Sequence, residues 1–85
     1  MPKRIEYGVL ALKALQRMDR KTGARIVGKI EQLAIDPGSL ANNIRRLKGE
    51  KVLMRLRIGD WRVIYNEESV VLHIIRIAPR GTVYE

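Results

Sequence analysis

One segment constrains the fold of this chain more than any other. From Val52 to Ile58 the residues alternate, with Val52, Met54, Leu56 and Ile58 on one side and Leu53, Arg55 and Arg57 on the other. Successive side chains of a strand point to opposite faces, so the pattern predicts a half-buried β-strand. Gly59-Asp60 follows as a two-residue hairpin signal. Trp61 to Asn66 reads as a second strand, and Glu67-Glu68-Ser69 turns the chain again. Val70 to Ala78 is the third run and the most apolar, the pattern of a central strand covered on both faces. Pro79 ends it, leaving the tail Arg80 to Glu85. A three-stranded antiparallel meander of this kind needs a cover for its apolar face.

The first half supplies one. Arg4-Ile5-Glu6-Tyr7 alternates as a short strand, and Gly8 breaks it. Val9 to Met18 carries Val9, Leu12 and Leu15 three apart and Leu10, Ala14 and Met18 four apart, which predicts a helix with a broad apolar face. Asp19 to Thr22 is a short polar break of the sort that joins antiparallel helices. From about Thr22 to Ile35, Ile26, Val27, Ile30, Leu33 and Ala34 share one helical face. Asp36-Pro37-Gly38-Ser39 stops that helix, because proline cannot continue it and restricts the residue before it. Leu40 to Lys51 reads as a loop. The expected fold is α+β over one domain, residues 1–85: a short N-terminal strand, an antiparallel helical hairpin, then the meander, with the helices on one face of the sheet.

Composition narrows the class of partner. Hydrophobic residues make up 46% and charged residues 31% of the 85, the balance of a folded domain rather than a disordered chain. A domain this small buries about 60–65% of its unfolded surface, which leaves a thin stability margin. No apolar run reaches membrane-spanning length, and MPKRIEYG lacks a signal-peptide core. There is no cysteine, which removes disulfides and thiolate metal sites; the expected location is the cytoplasm, with no cofactor and no membrane partner. Lys and Arg number 17 against 9 Asp and Glu, a net charge of +8, and such an excess draws polyanions.

The placement of the charge says which polyanion. Between Arg45 and Arg62 lie seven cations, Arg45, Arg46, Lys48, Lys51, Arg55, Arg57 and Arg62, against Glu50 and Asp60. With Val52, Met54, Leu56 and Ile58 facing the helices, Arg55 and Arg57 project from the opposite side. Arginine's planar fork binds phosphate oxygens in pairs, so several arginines facing one way on adjacent strands point to nucleic acid. A single exposed arginine would only solubilise a strand. The helices carry their cations on ordinary polar faces, without the aromatic anchors of a membrane-surface helix.

The remaining polar and aromatic residues read as structural. His73, the only histidine, shares strand phase with Ile75 and Ile77. With one histidine and no cysteine, a transition-metal site is not expected. Trp61, beside a hairpin turn, reads as packing, as do Tyr7 and Tyr65. Asp60 suits the turn, and Glu67 and Glu68 its surface. The chain has no carboxylate pair, glycine-rich phosphate loop or Ser-His-Asp set.

Leu47-Lys48-Gly49, the run RLRIGDWRVIY from Arg55 to Tyr65, and the tail IAPRGTVYE from Ile77 to Glu85 resemble the RelE/ParE superfamily of toxins. The opening MPKRIEYGVLALKAL and the segment IEQLAIDP share the likeness, which covers nearly the whole chain. The resemblance implies a RelE-type endoribonuclease of a type II toxin–antitoxin system. Such a toxin enters the ribosomal A site and cuts mRNA through attack of a 2′-hydroxyl on the adjacent phosphate. Its implied partners are the ribosome, mRNA and a cognate antitoxin. By position the family's catalytic residues fall on Arg55, Arg62, Arg80 and Tyr84, with Arg45, Arg46, Lys48, Lys51 and Arg57 as further RNA contacts. On that reading Arg62 and Arg80 stabilise the charge of the phosphorane. Tyr84 stacks on a base, orients the 2′-hydroxyl or moves a proton. Arg80 holds its proton too tightly to serve as the acid. Two departures stand out. The position two residues before Arg55, a cation in the best-studied members, is Leu53, and only three residues separate Arg80 from Tyr84. A ParE-like inhibitor of DNA gyrase and a non-catalytic RNA- or antitoxin-binding remnant are the alternatives on the same fold.

Overall fold

The computed structural model describes residues 2–49 and 52–81. Two of the residues singled out above, Lys51 and Tyr84, lie outside them. The elements in chain order are β1 (Arg4–Tyr7), α1 (Val9–Arg17), α2 (Arg20–Ile35), a 3-10 helix (Pro37–Asn43), β2 (Ile44–Arg46), β3 (Met54–Ile58), β4 (Trp61–Glu67) and β5 (Val71–Pro79). The strands form one sheet in the order β1-β5-β4-β3-β2. The expected α+β class and the meander β3-β4-β5 stand, with antiparallel pairing throughout the meander.

Two strands extend the meander beyond the sequence reading. β1 pairs in parallel with β5, from Arg4 opposite Val71 to Tyr7 opposite Ile74. The segment expected to be loop instead forms a 3-10 helix and then β2, which pairs antiparallel with β3. Three residues carry too little periodicity to announce a strand; pairing with β3 defines it. The central strand is β4 rather than the more apolar β5. Arg62, Val63, Ile64 and Tyr65 of β4 are all buried, whereas β5 exposes Ile75 and Arg76. Val52 does not join the strand or the core: it precedes β3 and is half exposed.

The helices cover one face. Ala11, Ile26, Ile30, Leu33 and Ala34 pack with Leu56, Ile58, Val63, Tyr65, Leu72, Ile74 and Ile77 in a single core, and Tyr7 and Trp61 lie partly buried against it. Each fully buried aliphatic side chain of such a core contributes on the order of 1.5–3 kcal/mol. Asp19, expected to be part of the interhelical break, caps α2. Its carboxylate accepts from the Thr22 backbone N–H at 3.1 Å and from the Thr22 hydroxyl at 2.7 Å, and these bonds hold its pKa below the usual value. Among the described residues no helix is long and apolar enough to cross a membrane.

Candidate nucleic-acid interface

Because Leu56, Ile58, Val63 and Tyr65 face the helices, strand alternation sends Arg55, Arg57, Arg62 and Ile64 to the other side, the outer face. Residues directly opposite one another on antiparallel strands share a face, so the register gives the layout. One row across the sheet runs Arg45, Arg55, Ile64, Arg76, and the next runs Arg57, Arg62, Ala78. Arg80 sits just past the second row, its backbone N–H bonded to the Asp60 carbonyl at 2.7 Å. That bond pins the residue after β5 to the β3–β4 hairpin.

The hairpin itself is set by glycine. Gly59 has φ +59° and no other non-glycine residue of the turn has positive φ, the two-residue geometry that wants glycine first. A side chain at Gly59 would also meet the Arg25 guanidinium of α2 at 3.2 Å, so a further cation crosses from the helical layer to this turn.

The outer face is less open than alternation alone suggests. Ile64 and Ala78 are buried there, with Leu47 and Leu53 packed over them in a small second cluster. Leu53, in the position expected for a cation, is thus part of an apolar floor. Arg62 is buried as well, at 6% exposure. Its Nη1 donates to the Gly59 and Trp61 carbonyls, both at 3.1 Å. Arg55 is half-buried, while Arg45, Arg57, Arg76 and Arg80 are exposed. Among the described residues no carboxylate lies within ion-pairing distance of those four exposed arginines.

The sequence-derived residues are therefore brought together only in part. Arg45, Arg55, Arg57, Arg62 and Arg80 converge on the half of the outer face nearest the hairpin. Arg46 is opposite Met54, so the alternation of β2 turns it toward the other face. Lys48 is exposed in the connection between β2 and β3. Sequence reasoning missed Arg25 and Arg76. Strand phase counted without interruption puts Arg76 on the face of Ile74, but a bulge falls between them. Tyr65 pairs with Ile74 and Ile64 with Arg76, leaving Ile75 as the extra residue. The same bulge separates His73 from Ile77, so the shared phase expected for those two is broken: Ile77 is in the core and His73 is on the outer face.

At the opposite end of the sheet the charges are paired. His73 lies between two carboxylates, Nδ1 at 3.4 Å from Glu6 and Nε2 at 3.2 Å from Glu68. Lys3 Nζ is 3.4 Å from Glu67 and donates to the Glu68 carbonyl, and Arg4 is 3.0 Å from Glu6. Two tyrosines are pushed further from ionisation by the fold. Burial, then the charge of Glu67, pushes Tyr65 up to about 12, and burial, then Glu31, raises Tyr7. Neither is suited to proton transfer near neutral pH.

The ParE toxin model of type II toxin–antitoxin systems (parDE) matches residues 5–84. The chain belongs to this toxin family. It is similar to the archaeal RelE of the RelE–RelB complex from Pyrococcus horikoshii OT3, at 30% identity over 98% of this chain and 100% of that one, TM-score 0.77. A YoeB/ParE toxin from Agrobacterium tumefaciens shares the fold at 17% identity, with coverage of 91% and 98% and TM-score 0.71. So does the isolated E. coli RelE toxin at 16% identity, with coverage of 95% and 87% and TM-score 0.72. No curated protein sequence matches. This is a toxin of the RelE/ParE superfamily.

Proposed function

We propose that this toxin is a ribosome-dependent endoribonuclease that cleaves mRNA in the A site and so inhibits translation in the cytoplasm. The observation that carries the reading is the set of exposed arginines with no carboxylate partner among the described residues, Arg45, Arg57 and Arg80, gathered beside Arg55 and Arg62. Cleavage by a 2′-hydroxyl builds negative charge on the phosphorus oxygens, and preorganised guanidinium groups stabilise it where it develops. Arg80 suits that role because its backbone is fixed to the hairpin. Arg62, anchored by two carbonyls, orders the turn and offers its charge from below. Tyr84 is assigned base stacking or orientation of the 2′-hydroxyl. The partner in the resting state is a cognate antitoxin, as in the E. coli RelBE toxin–antitoxin complex, and an acidic segment that folds on binding suits so cationic a face.

A second reading has an observation of its own. The matching family is that of ParE, and Leu53 fills the place of a cation; inhibition of DNA gyrase without cleavage is the alternative. Induction in cells with mapping of mRNA 5′ ends and a plasmid-supercoiling assay decides between them. Cleavage within translated codons, lost on Arg80→Ala or Tyr84→Phe, is the expected result. Altered supercoiling with intact mRNA would overturn it.

A further inference from the structure

We infer that Arg76 is a phosphate-binding residue for single-stranded RNA, extending the row Arg45-Arg55-Ile64-Arg76 so that the RNA crosses the sheet from β2 to β5, transverse to the strands. This rests on the RNA reading of the outer face. Three features of the structure support it. The first is the bulge at Ile75, without which Arg76 would point into the helical layer beside Ile74. Bulges re-aim side chains, and this one turns a cation onto the arginine face.

The second is the setting of Arg76. It is exposed, no carboxylate pairs with it among the described residues, and β1 ends opposite Ile74, so no β1 residue stands beside it. The cations of β1 and its approach are paired, by contrast, with Glu6 and Glu67. The third is the row as a whole. Arg45 and Arg55 are directly opposite on β2 and β3. Between Arg55 and Arg76 the row is occupied by Ile64, 1% exposed. Strands are spaced about 4.8 Å apart, so Arg45 and Arg76 stand about 14 Å apart across three steps. Phosphates can meet arginine at both ends of that span, with bases over the apolar floor of Leu47, Leu53 and Ile64 between them.

The test is equilibrium binding of a fluorescent single-stranded oligoribonucleotide to the full chain across a salt series. Arg76→Gln is compared with the wild type, with Arg76→Lys, and with Arg20→Gln, which removes the same charge from an exposed site on α2. Each phosphate contact to a single strand contributes about 0.7 to the slope of log K against log salt. Arg76→Gln is expected to weaken binding roughly threefold to tenfold and to lower the slope by about one contact, while Arg76→Lys and Arg20→Gln keep the slope. Unchanged affinity and slope in Arg76→Gln, with the wild type binding in a salt-dependent way, overturn the assignment alone. Wild-type protein that shows no salt-dependent RNA binding overturns the RNA reading and the assignment with it. Normal RNA binding by Arg76→Gln, together with release of the co-expressed antitoxin at lower salt, gives the row to the protein partner and also overturns it.

Discussion

The two ends of the sheet treat charge in opposite ways. Near the β4–β5 turn, Lys3, Arg4 and His73 each meet a carboxylate, and the pairs tie β1 and its lead-in to the rest of the sheet. Near the β3–β4 hairpin, Arg57 and Arg80 are exposed beside the buried Arg62, with no carboxylate partner among the described residues. Surface pairs are worth little individually, but they cancel repulsion that the unpaired end must tolerate. The difference separates charge that serves the fold from charge held ready for a ligand. It also leaves a chain of net charge +8 with one end whose lysine and arginine meet carboxylates.

The comparison breaks most readily in a functional assay. Arg80→Ala and Arg57→Ala, each scored by mRNA cleavage on induction, should each lower activity by roughly a hundredfold if they face the reacting phosphate. Glu6→Gln and His73→Gln should leave it within about twofold, since the paired end lies away from the hairpin. Equal losses at the two ends would erase the distinction. Thermal melts should show all four variants folded.

Arg62 belongs to both categories, and a melt sharpens the boundary. Its guanidinium is buried and bonded to the Gly59 and Trp61 carbonyls. Arg62→Ala should cost about 2 kcal/mol, because hydrogen bonds to charged groups are worth about 1.5–3 kcal/mol and the carbonyls lose their donor. In a domain of this size that lowers Tm by roughly 8–16 °C. A melt unchanged within error would make Arg62 a ligand group only.

How much of this was legible in the sequence depends on the length of the pattern. The alternation through Met54, Leu56 and Ile58 and the periodicity of Ile26, Ile30 and Leu33 gave the correct faces, because each pattern repeats enough to fix a phase. β2 was not legible: Ile44-Arg45-Arg46 is a strand only because β3 offers it an edge. The bulge at Ile75 was not legible either, since an inserted residue leaves an apolar run looking continuous, and it hid the placement of both Arg76 and His73. Arg55 and Arg57 were placed by type and phase, whereas Arg62 came with the family likeness, and its burial comes from turn geometry that no residue count reveals. Tyr84 rests on the family likeness alone.

A gain-of-function change tests the apolar floor between the two ends. Leu53→Lys puts a cation where the resemblance expects one, at the expense of packing against Ile64 and Ala78. Loss of a partly buried leucine there should cost about 1 kcal/mol. If the missing cation limits catalysis, cleavage should rise roughly tenfold or more despite that loss. A variant that is only less stable, with cleavage unchanged, would show that the floor rather than the absent charge is what this position supplies.

The smallest effect is expected at the paired end, and it concerns stability alone. Glu68 is 62% exposed and His73 36%, so their contact at 3.2 Å is a surface interaction. Glu68→Gln should therefore cost no more than about 1 kcal/mol, an effect that added salt diminishes in the wild type. The Lys3 bond to the Glu68 carbonyl uses the backbone and survives the substitution. Double replacement with His73→Gln should cost less than the sum of the single changes, because the two side chains touch. Strict additivity would mean that His73 is held by Glu6 alone, and would reduce the paired end to the contacts that Lys3, Arg4 and Glu6 make along β1.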